Sequence, residues 1–359
     1  MASSTKPLDV RESARGSIAS SIRDVDHLED LLSAPTAGAI ETVARTDGDF
    51  MVLGVGGKMG PTLARMLVRA ADEAGVKKRV IGVSRFSSPQ LPQQLAAHGV
   101  ETISCDLLDA EALERLPEIP NVVYMAGMKF GTTGQQARTW AMNAFLPGMV
   151  ARKFRGSKIV AFSTGNVYPL VPVHSGGATE TSDPAPVGEY AMSCLGRERI
   201  FEHFSRQWQI PMVMVRLNYA AEMRYGVLID MAQRVAVGEP IDLSMGCVNV
   251  IWQGDANAMT IQAFDHAASP PMTLNLTGPE TLSVRQLCEA FGRRMGKIPN
   301  FVGTESSSAY LNNAQLCHKL FGYPSVAASQ IMDWTADWVS RGGATIGKPT
   351  HFETRDGKY

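Results

Sequence analysis

The sequence predicts an α/β chain whose centre is a doubly wound parallel sheet, with a helical arm before it and a smaller cap after it. Two observations carry that expectation. Short apolar runs alternate with helical patterns from residue 50 to residue 276, and strands separated in this way by helices pair in parallel. The first run, Phe50 to Leu53, passes through GVGGKMG into an amphipathic helix. That order of strand, glycine turn and helix is the one a Rossmann-like unit uses to bind a dinucleotide.

The arm spans residues 1–48. Its first 22 residues are rich in Ser, Ala and Arg, but Asp9, Glu12 and the absence of an apolar face argue against a targeting peptide, so a loosely packed tail is expected. Leu28, Leu31 and Leu32 then mark a short helix stopped by Pro35, and Ile40 and Val43 mark another.

In the glycine turn, Gly54, Gly57 and Gly60 stand three residues apart. This lets the backbone turn tightly, approach a pyrophosphate and pack the following helix on the sheet. Pro61 suits the first helical position, Leu63, Met66, Leu67 and Ala70 share one face, and Gly75 sits where a helix end wants positive φ. A phosphate there meets free N–H groups at the positive end of a helix.

Further strands are expected at Val80 to Val83, Glu101 to Ser104, Val122 to Met125, Lys158 to Phe162, Met212 to Leu217 and Leu274 to Leu276. The dinucleotide-binding part covers 49–267, with 221–246 contributing to the substrate site. Pro169 to Gly188, rich in Gly and Pro, reads as a long loop over the site. From 268 to 359 short strands and helices, closing with Trp334 and Trp338, read as a cap that binds substrate.

Composition narrows the partners. A net charge of −1 over 359 residues leaves no basic face for nucleic acid or an anionic membrane. No apolar run approaches the roughly 18 residues of a membrane span. The five cysteines have no C-x-x-C spacing and the seven histidines no H-x-x-x-H pairing, which reads as a reduced cytoplasmic protein without a metal site.

After the second strand an NAD site normally presents a carboxylate to the ribose 2′-hydroxyl. This chain has Ser84 and Arg85 there, with Ser87 and Ser88 close behind. A guanidinium among hydroxyls suits a 2′-phosphate, so NADP is favoured and NAD remains possible.

From about residue 50 to 340 the chain resembles the extended short-chain dehydrogenase/reductase family, which includes nucleotide-sugar epimerases and dehydratases. The resemblance implies cofactor contacts from the turn residues Gly54, Gly57, Lys58, Met59 and Gly60, and from Asp106 and Leu107 in CDLLD. Ala126 and Gly127 resemble the strand end beneath the nicotinamide ribose, and Asn143 in TWAMNAFLPG the family's structural and proton-relay asparagine. Ser163 and Thr164 in FSTGNVYP match the hydroxyl that holds the reacting oxygen, and Tyr190 in EYAMSCLGRE matches the catalytic tyrosine. LNLTGPETLSVRQL resembles the turn into the cap.

One element departs. The family lysine four residues after the tyrosine is Cys194 here. Positions i and i+4 share a helix face, so that lysine ordinarily lowers the phenol pKa and holds the ribose. Cys194 reads as a small buried hydrophobe or, less simply, as a reactive thiol. Lys129 and Arg197 are the candidate replacement cations. Reduction tolerates the exchange, because a tyrosine of pKa about 10 is protonated at neutral pH, whereas oxidation needs the phenolate.

Sugar dehydratases of the family place an acidic pair after the threonine, and Gly165 and Asn166 stand there instead. Cys194, His174 and Cys247 are epimerase-type acid/base candidates without specific spacing. RLNYAAEMRYG lacks the family's Gly-Pro, and Asn166, Asn218, Arg224, Tyr225 and Lys129 are the candidate substrate contacts. The expected function is an NAD(P)-dependent oxidoreductase or epimerase acting on a sugar-like hydroxyl or ketone. The alternative is a cofactor-binding regulator or scaffold that has lost turnover. The resemblance also implies a homodimer through the helices at 138–154 and 188–207.

Overall fold

The computed structural model describes residues 19–129 and 134–358. The tail expected at the start therefore lies mostly outside the described residues. Among the described residues seven strands pair in one sheet: β1 Phe50–Leu53, β2 Val80–Ser84, β3 Val100–Ser104, β4 Asn121–Tyr124, β5 Lys158–Thr164, β6 Met212–Leu217 and β7 Met272–Leu276. Their order is β7-β6-β5-β4-β1-β2-β3, and every neighbouring pair is parallel. All four residues of β1 and of β4 are buried, as the uninterrupted apolar runs require of strands covered on both faces. The order reverses between β1 and β4, so a ligand crevice opens at the carboxyl ends of these two strands.

Helices cover both faces. Those that matter for the site are α1 Val25–Leu32, α2 Ala37–Arg45, α3 Gly60–Glu73, α4 Leu146–Lys153, α5 Gly188–Trp208, α6 Val227–Val237, α7 Gln253–Gln262, α8 Val284–Met295 and α9 Ala328–Ser340. One apolar core joins the sheet to α2, α3 and α7 through Val43, Leu63, Leu67 and Ile261. The opposite core joins it to α4 and α5 through Val150, Phe154 and Phe201. The two arm helices carry the caps their sequence offers: Asp24 accepts from His27 N at 2.8 Å and Thr36 from Ala39 N at 3.3 Å.

A third core lies beside the sheet. Leu28 and Leu32 of the arm pack there with Leu228 and Met231 of α6, Phe291 of α8 and Trp334 of α9. The arm is thus sealed onto the last third of the chain. Two features differ from the expected pattern. The helix expected across 138–154 is interrupted by a π-helical turn over Ala141–Phe145, and the loop after β5 is pinned down by a short ladder, Val171–Pro172 with Ser308–Ala309. No helix among the described residues is long and apolar enough to cross a membrane.

Candidate active site

The crevice holds a cavity of about 370 Å³, walled by the glycine turn, the ends of β5 and β6, the start of α5 and α6, and Thr350 near the C-terminus. At its glycine-turn end Gly54 N and Val55 N both donate to Val83 O, and Gly57 N donates back to Gly54 O at 3.0 Å. Gly54 has φ +89°, and a Cβ on it would stand 2.7 Å from Ala126 N. A Cβ on Gly60 would stand 2.3 Å from Val55 O, whereas one on Gly57 would meet only Gly54 O at 3.3 Å. Two glycines therefore let the turn pack inward and the third leaves its outer side open. α3 begins at Gly60 with Pro61 next and no side-chain cap, so its first amides point out of the turn with no capping oxygen. This cradle fits a pyrophosphate by shape and by the sign of the helix dipole.

Flanking residues stand where the strand ends put them. Ser84 ends β2, and its Oγ would touch a Cβ on Gly56 at 2.6 Å, while Arg85, Ser87 and Ser88 are exposed. Asp106, just past β3, is exposed and its Oδ1 accepts from Leu108 N at 3.1 Å; Leu107 beside it is buried. Gly127, past β4, has no room for a side chain, since a Cβ would lie 2.5 Å from Arg197 Nη2.

At the other end Tyr190 stands in the first turn of α5 with its hydroxyl in hydrogen-bonding contact with Thr164, the last residue of β5. Burial pushes the phenol pKa above its ordinary value; Thr164 and the more distant Arg197 act in the opposite direction without prevailing. Thr164 Oγ1 also donates to Asn166 Oδ1 at 3.0 Å. Lys129 Nζ lies 5.7 Å from the Tyr190 ring centroid, and burial lowers its pKa to about 8.

A family model described as the NAD dependent epimerase/dehydratase family matches residues 50–250. The chain belongs to that family. It is an enzyme of the extended short-chain dehydrogenase/reductase type. Among solved structures it is similar to the UDP-glucuronic acid 4-epimerase of Bacillus cereus in complex with UDP-glucuronic acid and NAD, with TM-score 0.67, 17% identity and coverage of 82% of this chain and 99% of that one. The dTDP-glucose 4,6-dehydratase of Bacillus anthracis in complex with NAD gives TM-score 0.69 at 15% identity, covering 82% and 97%. The UDP-glucose 4-epimerase of Thermus thermophilus with NAD gives 0.66 at 19%, covering 82% and 99%. At such identities these structures speak for the fold. No curated protein matches the chain in sequence.

Within this epimerase/dehydratase-family site the fourth residue after Tyr190 is closed off from solvent. Cys194 is fully buried against Val167, Tyr168 and Ala178, and burial raises its thiol pKa. Arg197, one turn further along α5, is not a surface charge. Its Nη1 donates to Phe162 O at 2.7 Å and its Nη2 to Asn143 Oδ1 at 2.9 Å. Asn143, in the π-helical turn, also accepts from Met128 N at 2.8 Å and donates to Ser193 Oγ at 2.9 Å, tying the loop after β4 to α5.

Ser163 also lines the cavity, but its hydroxyl is engaged elsewhere. Strand alternation turns its hydroxyl to Glu198, to which it donates at 2.5 Å, and Glu198 forms a buried two-pronged pair with Arg216 at 3.0 and 2.6 Å. Arg216 donates in turn to Tyr168 Oη at 2.6 Å, and Tyr168 to Asn275 Oδ1 at 2.9 Å.

Of the candidate substrate contacts, Lys129, Asn166, Asn218 and Tyr225 line the cavity. Arg224 does not: its guanidinium is spent on Glu222 at 3.1 Å and on Glu29 of the arm at 2.6 Å. His174 is exposed on the loop after β5, and Cys247 belongs to a short strand paired with Leu282–Ser283; neither lines the cavity. Sequence reasoning passed over Tyr219, Gln253 and Thr350, which do line it. Thr350 lies in a polar stretch without periodicity, which carries no signal before the chain is folded.

Proposed function

We propose that this chain is an oxidoreductase or epimerase that uses a nicotinamide dinucleotide to act on a hydroxyl or ketone of a sugar-like molecule, with Tyr190 as its acid/base. The observation that carries the reading is the contact between the Tyr190 hydroxyl and Thr164 at one end of a cavity whose other end is an uncapped glycine turn. Gly54, Gly57, Lys58, Met59 and Gly60 would hold the dinucleotide phosphates, with Ser84, Arg85, Asp106 and Leu107 on the adenosine side and Ala126, Gly127 and Asn143 near the nicotinamide ribose. Bound there, the nicotinamide supplies hydride exchange with the carbon bearing the reacting oxygen.

The chain's own work is to place and protonate that oxygen. Thr164 positions it by hydrogen bonding. Tyr190, kept protonated by burial, delivers its phenolic proton to the oxygen as negative charge develops there, and reclaims it in the reverse direction. Lys129 and Arg197 stabilise the phenolate left behind, in place of the lysine that Cys194 displaces. Asn166, Asn218, Gln253 and Thr350 offer amide and hydroxyl groups of the kind that orient a polyol. The related Bacillus and Thermus structures contain sugar nucleotides or NAD, which supports a sugar-like substrate. Ser84 and Arg85, with no carboxylate after β2, support NADP over the NAD of those proteins.

Exposed Trp140, Phe145 and Met192, on the helices at 136–153 and on α5, support pairing with a second copy along those helices. The reading of a regulator without turnover rests on Cys194 alone. A Tyr190→Phe variant separates the two: it should bind dinucleotide like the parent and lose turnover on polyol or sugar substrates by about 100-fold or more. Undiminished turnover removes Tyr190 from the mechanism.

A further inference from the structure

We propose that the helical arm and a strap near the end of the described chain form an arch over the glycine turn, and that this arch gates the entry and release of the dinucleotide in the function proposed above, on which the inference rests.

The strap is residues 344–358, a stretch with neither helix nor strand. Its middle walls the spaces beside the glycine turn. Thr350 lines the cavity of about 370 Å³ together with Gly54, Gly57 and Met59, while Ile346 and Lys348 line an adjoining cavity of about 480 Å³ together with Gly56 and Gly57. Gly57 borders both spaces, and strap residues stand in the wall of each.

The arm closes the outer side. α1 is seated on α3, the helix that leaves the turn: Arg65 pairs with Asp30, and Arg69 Nη1 donates to Asp30 O at 2.7 Å. Val25, Asp26 and Glu29 of α1 line the second cavity with the strap residues. Arg224, in the segment after β6, joins arm to strap. Its Nη1 donates to Glu29 Oε1 at 2.6 Å, and its backbone O accepts from Ile346 N at 2.9 Å. Arm, Arg224 and strap thus make one continuous run of contacts beside the turn that is to hold the dinucleotide phosphates.

The way the strap is held suits a gate. Thr350 donates to Asp230 Oδ2 of α6 from N and Oγ1, at 2.7 and 2.5 Å. Phe352 is buried in the core beside the sheet. Arg355 Nη1 donates to Ser244 O at 3.1 Å and to Ser308 O at 2.7 Å, and its Nη2 to Ser308 Oγ at 2.8 Å. Gly357 packs on Val187 and Gly188, where the helix of Tyr190 begins. These attachments fix the strap on both sides of Thr350, yet most run through single side chains rather than a strand ladder. An irregular segment held in this way opens locally at lower cost than the buried sheet beneath it. A dinucleotide on the turn then enters and leaves as the arch opens, with the sheet and helices unmoved.

The alternative is that arm and strap are plain contacts of the dinucleotide, and kinetics separate the two. Stopped-flow fluorescence gives the association and dissociation rate constants of NADPH and NADH with nucleotide-stripped parent, with Arg355→Met, which loosens the strap, and with Glu29→Gln, which weakens the tie of the arm to Arg224. Neither residue lines the cavity at Tyr190. Each variant is checked for an unchanged circular dichroism spectrum, and Glu29→Gln decides alone where Arg355→Met does not fold. Loosening a gate lowers a barrier that is crossed in both directions. The expected result is that both rate constants rise by about fivefold or more while Kd stays within about twofold of the parent. Faster dissociation with unchanged association, and so a weaker Kd, makes these segments contacts and overturns the gate; rates equal to those of the parent overturn it too. A parent that binds neither dinucleotide sinks the function reading and the gate together, whereas a parent that binds, with variants that do not alter its rates, sinks the gate alone.

Discussion

On the proposed mechanism the chemistry turns on Cys194, which stands four residues after Tyr190 on α5, where a lysine would lower the phenol pKa. With the phenol of Tyr190 raised by burial, its proton is retained across the neutral range, so donation needs no prior ionisation while abstraction does. Reduction should then be nearly flat from about pH 6 to 7.5 and decline above about pH 8 as Lys129 loses its proton, and oxidation should rise close to tenfold per pH unit up to about pH 8, as the phenolate fraction does. Initial rates in both directions check this, and an oxidation rate that levels off near pH 7 contradicts it. The thiol itself is buried and its pKa raised, so it carries little thiolate at neutral pH. Iodoacetamide should leave Cys194 unmodified in the native protein, as intact-protein mass spectrometry with peptide mapping would show. Arg197 was legible as a residue on the right helical face. Its burial was not, because an arginine spaced along an amphipathic helix reads equally as a solvent-facing charge until its acceptors, Phe162 O and Asn143 Oδ1, are brought to it by the fold.

At the scale of the element, the glycine turn was the most legible part of the chain, since each glycine answers a local demand that the sequence itself states. Gly60→Ala places a Cβ 2.3 Å from Val55 O, a backbone atom that cannot give way without moving β1 or α3. That variant should lose dinucleotide binding and about 1–3 kcal/mol of stability, measurable by titration and by a denaturant midpoint. The polar network beneath the site was not legible. Ser163, Glu198 and Arg216 lie far apart in the chain, and only the parallel pairing of β5 with β6 under α5 makes them neighbours. Arg216→Met leaves the Glu198 carboxylate buried without its cation and should cost about 3–5 kcal/mol in urea unfolding, with Thr164 and Tyr190 themselves untouched. The seven strands were readable because fully buried strands are continuous apolar runs. The π-helical turn around Asn143 was hidden, because its cause is the hydrogen bonding of that asparagine to Met128 and Ser193 rather than any local propensity.

At the scale of the whole molecule, both ends of the described chain return to the site region. The arm meets α6, α8 and α9 in one core, and the last stretch of the described chain, residues 344–358, forms a strap that brings Thr350 to the cavity. Neither was foreseeable from composition, since the strap is a polar run whose place is set by Asp230, Arg224 and the pocket that Phe352 fills. A chain ended after Gly343 should lose about 1.5–3 kcal/mol with the burial of Phe352, yet still bind dinucleotide. Differential scanning calorimetry and dinucleotide titration test it. The central claim is that this fold holds a nicotinamide dinucleotide for use at Tyr190. The measurement that tests it most directly is calorimetric titration of nucleotide-stripped protein with NADPH and NADH, beside mass spectrometry of any nucleotide released on denaturation. The account predicts one dinucleotide bound per chain, NADPH the tighter, with Tyr190→Phe binding equally well. A protein that carries no nucleotide and binds neither form would contradict it.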